Sequence, residues 1–180
     1  MDAVSKEQLY TTDYVEALPD GQRAELIDGR LYMMAMPSST HQQVLLALTR
    51  KIADCLDEHG KDCALCIAPY AVYINNDKHN CLEPDLFVVC DKSKITEKGL
   101  MGAPDFVIEI VSPSSRQMEY LVKLLKYGNS GVREYWIVDP MTKRTMVYNF
   151  EETDTSEIPF SEDIHSGICK DLVVNLSEFA

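Results

Sequence analysis

A strand, a helix and a second strand follow one another between residues 105 and 138, and that order constrains the fold more than any other feature of the chain. Asp105 to Val111 is almost continuously apolar, Arg116 to Tyr127 repeats at helical spacing, and Glu134 to Val138 is apolar and aromatic. Such a β-α-β unit predicts two parallel strands joined by a right-handed crossover. Pro84 opens a further buried strand, Asp85 to Cys90. Two of these runs carry a carboxylate where a buried strand should hold none, Asp85 at the head of one and Glu109 inside another. A charge in that setting is costly unless it is paired or bound to a cation. The two acids therefore mark a candidate site.

Other segments add elements around these strands. Thr12 to Leu18 predicts a short helix capped by Thr11 or Thr12. Asp28-Gly29 lies between two apolar arms and predicts a tight hairpin, because a type I′ turn needs positive φ at both central positions. Glu25 sits on the first arm, where an outward-facing strand residue is the plain reading. Ser38, Ser39 or Thr40 caps a helix running to about Glu58, with Leu45, Leu48, Ile52 and Cys55 or Leu56 facing the core and Gly60 ending it. His41 falls in the first turn of that helix, a position that suits a surface or capping residue as well as a ligand.

Cys63 to Ile74 reads as one strand, and residues 91–102 as a charged loop with one helical turn. Ser112 to Ser115 caps the crossover helix, whose expected apolar face is Met118, Leu121, Val122 and Leu125. Glu119, Lys123 and Tyr127 form a separate stripe. Residues 144–150 pair with 134–138, 151–163 form an acidic loop or hairpin edge, and Leu172 to Leu176 is a last short strand. The pattern predicts an α/β (α+β mixed) fold, a single domain over residues 1–180, with a mixed sheet flanked by helices.

Composition narrows the function. No apolar run approaches the ~18 residues of a membrane helix, and the N-terminus lacks the basic and apolar regions of a signal peptide. No membrane partner and a cytoplasmic location are expected. A net charge of -12 argues against a general polyanion binder. The charge is uneven, however: residues 116–144 hold six Lys or Arg against three acids, so this stretch can still face phosphates. The one C-x-x-C among six cysteines, Cys63 to Cys66, lacks the second pair of a structural zinc site and opens a strand rather than a helix. Buried, reduced thiols are expected.

If the strands of Asp85 and Glu109 are neighbours, both carboxylates can converge on one cation. Oxygen donors suit Mg²⁺ or Mn²⁺, an ion that polarises a phosphodiester and lowers the pKa of a bound water. Lys123 lies on the helix directly after the Glu109 strand, where its ammonium can orient that water and offset developing charge. A structural Glu109–Lys123 ion pair explains the same residue types equally well.

The motifs carry a resemblance. Glu83-Pro84-Asp85 followed by Glu109-Ile110-Val111 resembles the bipartite signature of the PD-(D/E)XK nuclease superfamily. The longer pattern resembles its Uma-type branch of restriction-endonuclease-like proteins: residues 25–32, Pro37 to His41, Glu83 to Leu86, Gly102 to Ser114, Lys123 to Gly128 and Gly131 to Pro140. The resemblance implies a restriction-endonuclease-like core, a four-stranded mixed sheet flanked by helices with a divalent-metal site at its edge. It implies Asp85 and Glu109 as metal ligands, the carbonyl of Ile110 as a third, and Glu25 as an acid touching the metal or its water. Lys123 is the implied catalytic lysine and His41 a metal ligand or substrate contact. Two departures stand out: Val111 occupies the superfamily's usual lysine position, and Glu119 stands where related sequences carry Asp.

The expected activity is Mg²⁺- or Mn²⁺-dependent hydrolysis of DNA phosphodiester bonds by an endonuclease. The alternatives are a non-catalytic binding or assembly module on the same fold and a hydrolase of another phosphodiester such as RNA. Cutting both strands of a duplex calls for two sites, which a homodimer would supply.

Overall fold

The computed structural model describes residues 8–58, 62–75, 77–113, 118–169 and 171–179. Helix α1 (Thr12–Glu16) leads to a hairpin of β1 (Ala24–Ile27) and β2 (Arg30–Met33). Its turn residues Asp28 and Gly29 have φ of 50° and 77°, the left-handed pair that Asp-Gly tolerates. Helix α2 (Ser39–Glu58) follows, and the Ser38 hydroxyl oxygen caps it by accepting the His41 N–H at 3.2 Å. Strands β3 (Ala64–Ile67), β4 (Val72–Tyr73), β5 (Leu86–Val89), β6 (Ile95–Thr96), β7 (Gly99–Met101) and β8 (Phe106–Ile110) come next. A π-helical turn, Met118–Lys123, runs into α3 (Leu124–Gly128). The chain continues through β9 (Glu134–Asp139), β10 (Arg144–Asn149), β11 (Asp154–Pro159), β12 (Asp163–His165) and β13 (Val173–Asn175).

The main sheet has the order β11-β10-β9-β8-β5-β3. As the β-α-β pattern predicts, β8 and β9 pair in parallel, and the other neighbours are antiparallel. Six described strands make it wider than the expected four, with β3 and β11 at its edges. Side-chain alternation gives the sheet two buried faces. Leu86, Val88, Phe106, Ile108, Ile110, Trp136 and Val138 pack against α2 and the last strands. Phe87, Val89, Val107, Val111, Tyr135 and Ile137 pack against Ile27 of the hairpin, Val72 and Leu100, and Tyr127 of α3. Each large apolar side chain so buried contributes about 1.5–3 kcal/mol. Among the described residues, no helix is long and apolar enough to cross a membrane.

A buried acid fastens the C-terminal segment to the first face. The fully buried Glu134 accepts hydrogen bonds from Trp136 Nε1 at 2.6 Å, Ser166 Oγ at 3.0 Å and the Ile168 N–H at 2.9 Å. Burial pushes its carboxyl above the usual carboxylate range, and those hydrogen bonds pull the other way.

The structure corrects several expectations. Residues 63–74 are two strands in different sheets, β3 and β4, with the break at Ala68–Pro69, where proline cannot donate to a ladder. Of the two readings of the acidic stretch 151–163, the hairpin edge holds and the loop does not: it carries the edge strand β11, paired with β10, and enters β12. The charged loop 91–102 has its expected helical turn, the 3₁₀ turn Lys92–Lys94, but also the short strands β6 and β7, which were not expected. Cys63 and Cys90 are not reduced thiols but a disulfide, while Cys66 and Cys81 are free thiols. The β3–β5 register pairs Ala64 with Val89, so one further step sets Cys63 opposite Cys90, a juxtaposition invisible without the pairing. The expected ends at Gly60, Ser114 and Ser115 lie outside the described residues, as do Arg116 and the Glu119 side chain.

The expected apolar face of the crossover helix is also revised. Leu121 and Leu125 are 56% and 67% exposed, whereas Lys123 and Tyr127 are buried. The i to i+5 bonding of a π turn rotates the face that a 3.6-residue period predicts.

Candidate active site

The β5–β8 register pairs Leu86 with Ile108, so one further step sets Asp85, just before β5, opposite Glu109. Both share the side of the sheet that carries Phe87, Val107 and Val111. Asp85 Oδ2 accepts the Ile110 N–H at 2.7 Å and contacts His41 Nε2 at 3.1 Å. An ionised carboxylate cannot donate, so Nε2 is the donor, and a neutral ring then keeps Nδ1 as an acceptor. That Nδ1 is buried and has no hydrogen-bond partner among the described residues. The Asp85 carbonyl accepts the Ala68 N–H at 3.0 Å, which ties the end of β3 to the same corner.

Lys123 joins the remaining acids. Its Nζ lies 2.8 Å from Glu109 Oε1 and 2.9 Å from Glu25 Oε1, and the three side chains are only 3%, 3% and 6% exposed. Tyr127 donates its hydroxyl to the same Glu109 oxygen at 2.9 Å. Glu25 Oε1 also accepts the Glu83 N–H at 2.9 Å, and Arg23 holds the Glu83 carboxylate with Nη2 at 2.6 Å and Nε at 2.8 Å. Desolvating Lys123 and two carboxylates is expensive, and the cost is offset only because each charge finds a close, hydrogen-bonded partner. Glu25 is therefore not an outward-facing strand residue: its side chain turns inward from the hairpin onto Lys123.

Apart from the fully buried Tyr127, these groups line one groove of about 910 Å³. Its polar wall comprises Glu25, Glu83, Asp85, Glu109, Arg23, Lys123 and His41, and its apolar wall includes Met33, Met36, Ile67, Pro69 and Met118. A second hollow, about 660 Å³ between α2 and residues 174–179, contains none of the site residues. All six residues singled out from the sequence, Glu25, His41, Asp85, Glu109, Ile110 and Lys123, line the first groove. Sequence reasoning missed Arg23, Glu83 and Tyr127 as participants. Alternation along the hairpin sets Arg23 on the Glu25 side, and Tyr127 follows Lys123 by one helical turn, so both signals were present.

The donor set suits a hard cation. Four acidic side chains, Glu25, Glu83, Asp85 and Glu109, line this groove with two basic ones, Arg23 and Lys123, an excess of acidic oxygens that suits a divalent ion. The His41 ring adds a buried nitrogen, Nδ1, that has no hydrogen-bond partner among the described residues. Among the described residues, no three His, Cys, Asp or Glu side chains are grouped closely enough to hold an ion by themselves. Two carboxylates completed by a carbonyl, water and phosphate oxygens match the way Mg²⁺ usually binds.

A mixed sheet with acids at facing strand positions and a lysine from the crossover helix defines a restriction-endonuclease-like fold. The same fold appears in a crystal structure described as "a putative nuclease belonging to DUF820" from Anabaena variabilis ATCC 29413. The TM-score is 0.75 with 20% sequence identity, over 94% of this chain and 96% of that one. Residues 11–176 match the model of the Uma2 family, described as "Putative restriction endonuclease", and the chain belongs to that family. It is also similar to the uncharacterized protein slr1290 of Synechocystis sp. (strain ATCC 27184 / PCC 6803 / Kazusa), 25% identical over 130 residues. That match spans 71% of this chain and 66% of the relative's length.

Proposed function

We propose that the chain is a divalent-metal-dependent endonuclease that hydrolyses DNA phosphodiester bonds, with Mg²⁺ or Mn²⁺ held by Asp85, Glu109 and the Ile110 carbonyl. The observation that carries this reading is the pair of carboxylates on facing positions of β5 and β8, in one groove with Lys123 and His41. Membership of a nuclease family supports nucleic acid as the substrate class. When bound, the ion supplies Lewis acidity to the phosphodiester and a water of lowered pKa. The Ile110 N–H and the His41 ring fix the orientation of Asp85. Lys123 offsets the charge that gathers on the phosphoryl oxygens and orients the attacking water. In the neutral ring, His41 Nδ1, buried and without a partner among the described residues, can accept a hydrogen bond from that water. Purified protein with Mg²⁺ or Mn²⁺ should nick supercoiled plasmid, and a chelator should stop it. Cleavage of RNA with plasmid left intact would move the substrate to the alternative phosphodiester.

A second reading, a binding module without catalysis, draws on the Lys123 bridge, which gives Glu25 and Glu109 a close cationic partner within the chain. Calorimetry separates the two readings: Mn²⁺ should bind the folded protein, and absence of binding favours the module.

A further inference from the structure

We infer that Tyr127 is a positioning residue for Glu109, setting the orientation of its carboxylate in the site. The inference deepens the proposed function and rests on it for the role of Glu109 as an ion ligand. Tyr127 is fully buried, and its hydroxyl donates to Glu109 Oε1 at 2.9 Å. Lys123 reaches the same oxygen at 2.8 Å. The two donors differ in what they can fix. An ammonium is a compact charge on a flexible stem with three rotatable donors, so it supplies charge with little direction. A phenol O–H is a single directional donor on a rigid ring.

The ring itself is clamped. Its centroid lies 4.9 Å from Tyr135 on β9, Tyr135 stacks on Tyr148 of β10 at 6.2 Å, and Tyr148 stacks on Phe150 at 6.4 Å. The next residue, Gly128, brings the α3 backbone so close to Phe150 that an added Cβ would lie 3.1 Å from its ring. An aromatic row across two sheet strands therefore holds the hydroxyl in place. Tyr127 follows Lys123 by four residues, so the turn that buries the lysine delivers the phenol to the same carboxylate. Lys123 thus sets the charge around Glu109 and Tyr127 sets its direction.

Tyr127→Phe removes one oxygen and keeps the ring. Tyr148→Phe, in the same aromatic row, is the control. Metal-free crystal structures should show the Glu109 carboxylate turned from its wild-type orientation in Tyr127→Phe and unmoved in Tyr148→Phe. Calorimetry should show Mn²⁺ affinity about tenfold weaker in Tyr127→Phe, the scale expected when a group orienting a metal ligand is lost. With plasmid as substrate, kcat should fall while KM is unchanged. An unmoved Glu109 with Mn²⁺ affinity within twofold of wild type would overturn the inference. A wild-type protein that binds no Mn²⁺, together with a turned Glu109 in the variant, would remove the metal assignment and leave the positioning role standing.

Discussion

Asp85→Ala should abolish plasmid nicking, lowering the rate by on the order of 10³-fold or more, the scale of losing a group that stabilises transition-state charge. The variant strips the groove of one of two facing carboxylates and frees the partners that Asp85 holds. The Ile110 N–H and His41 Nε2 both lose their acceptor. Leaving such donors unsatisfied should also destabilise the fold by roughly 1–3 kcal/mol. Asp85→Asn separates the two effects, because its amide oxygen can still accept one of those bonds. It should recover much of the stability and almost none of the activity. Equal nicking by wild type and Asp85→Ala would remove Asp85 from the chemistry.

Lys123→Met carries the largest expected cost to stability. Its ammonium is the cation shared by Glu25 and Glu109, and all three side chains are almost fully buried. Methionine fills similar space and leaves the two acids facing each other without that charge. Breaking a buried ion pair from one side costs roughly 3–5 kcal/mol, and for a chain of this size each kcal/mol moves the melting temperature by about 2–4 °C. A fall on the order of 10 °C should appear in thermal unfolding. Adding Glu25→Gln to Lys123→Met removes one stranded charge and should restore part of the loss. That would give a coupling term characteristic of residues in direct contact. A Lys123→Met melting temperature equal to wild type would show that the bridge contributes nothing to folding.

The parts of this architecture that depend on local pattern were legible in the chain. The Asp28-Gly29 hairpin, the α2 apolar stripe and the parallel β8–β9 pair follow from turn chemistry and periodicity. Asp85 and Glu109 stood out because each interrupts an apolar run. What the sequence could not display is register. Asp85 opposite Glu109, and Cys63 opposite Cys90, depend on which strands pair and at what offset. Lys123 was legible as a candidate from its place after the Glu109 strand, but its burial was not. Helical periodicity set it on a stripe apart from the apolar face, and only the π turn directs Lys123 inward. Position 111, where the resemblance expects a lysine, is a core position. Val111 packs in the apolar cluster on the same side of the sheet as Glu109, while Lys123 reaches Glu109 from the π turn of the crossover.

Crystals soaked in Mn²⁺ test the metal site most directly, because anomalous scattering locates the ion independently of any assay. A peak coordinated by Asp85, Glu109 and the Ile110 carbonyl, absent from Asp85→Ala crystals, is the predicted result. A groove without a peak at Mn²⁺ concentrations that saturate ordinary carboxylate sites, with Lys123 still bridging Glu25 and Glu109, would contradict it.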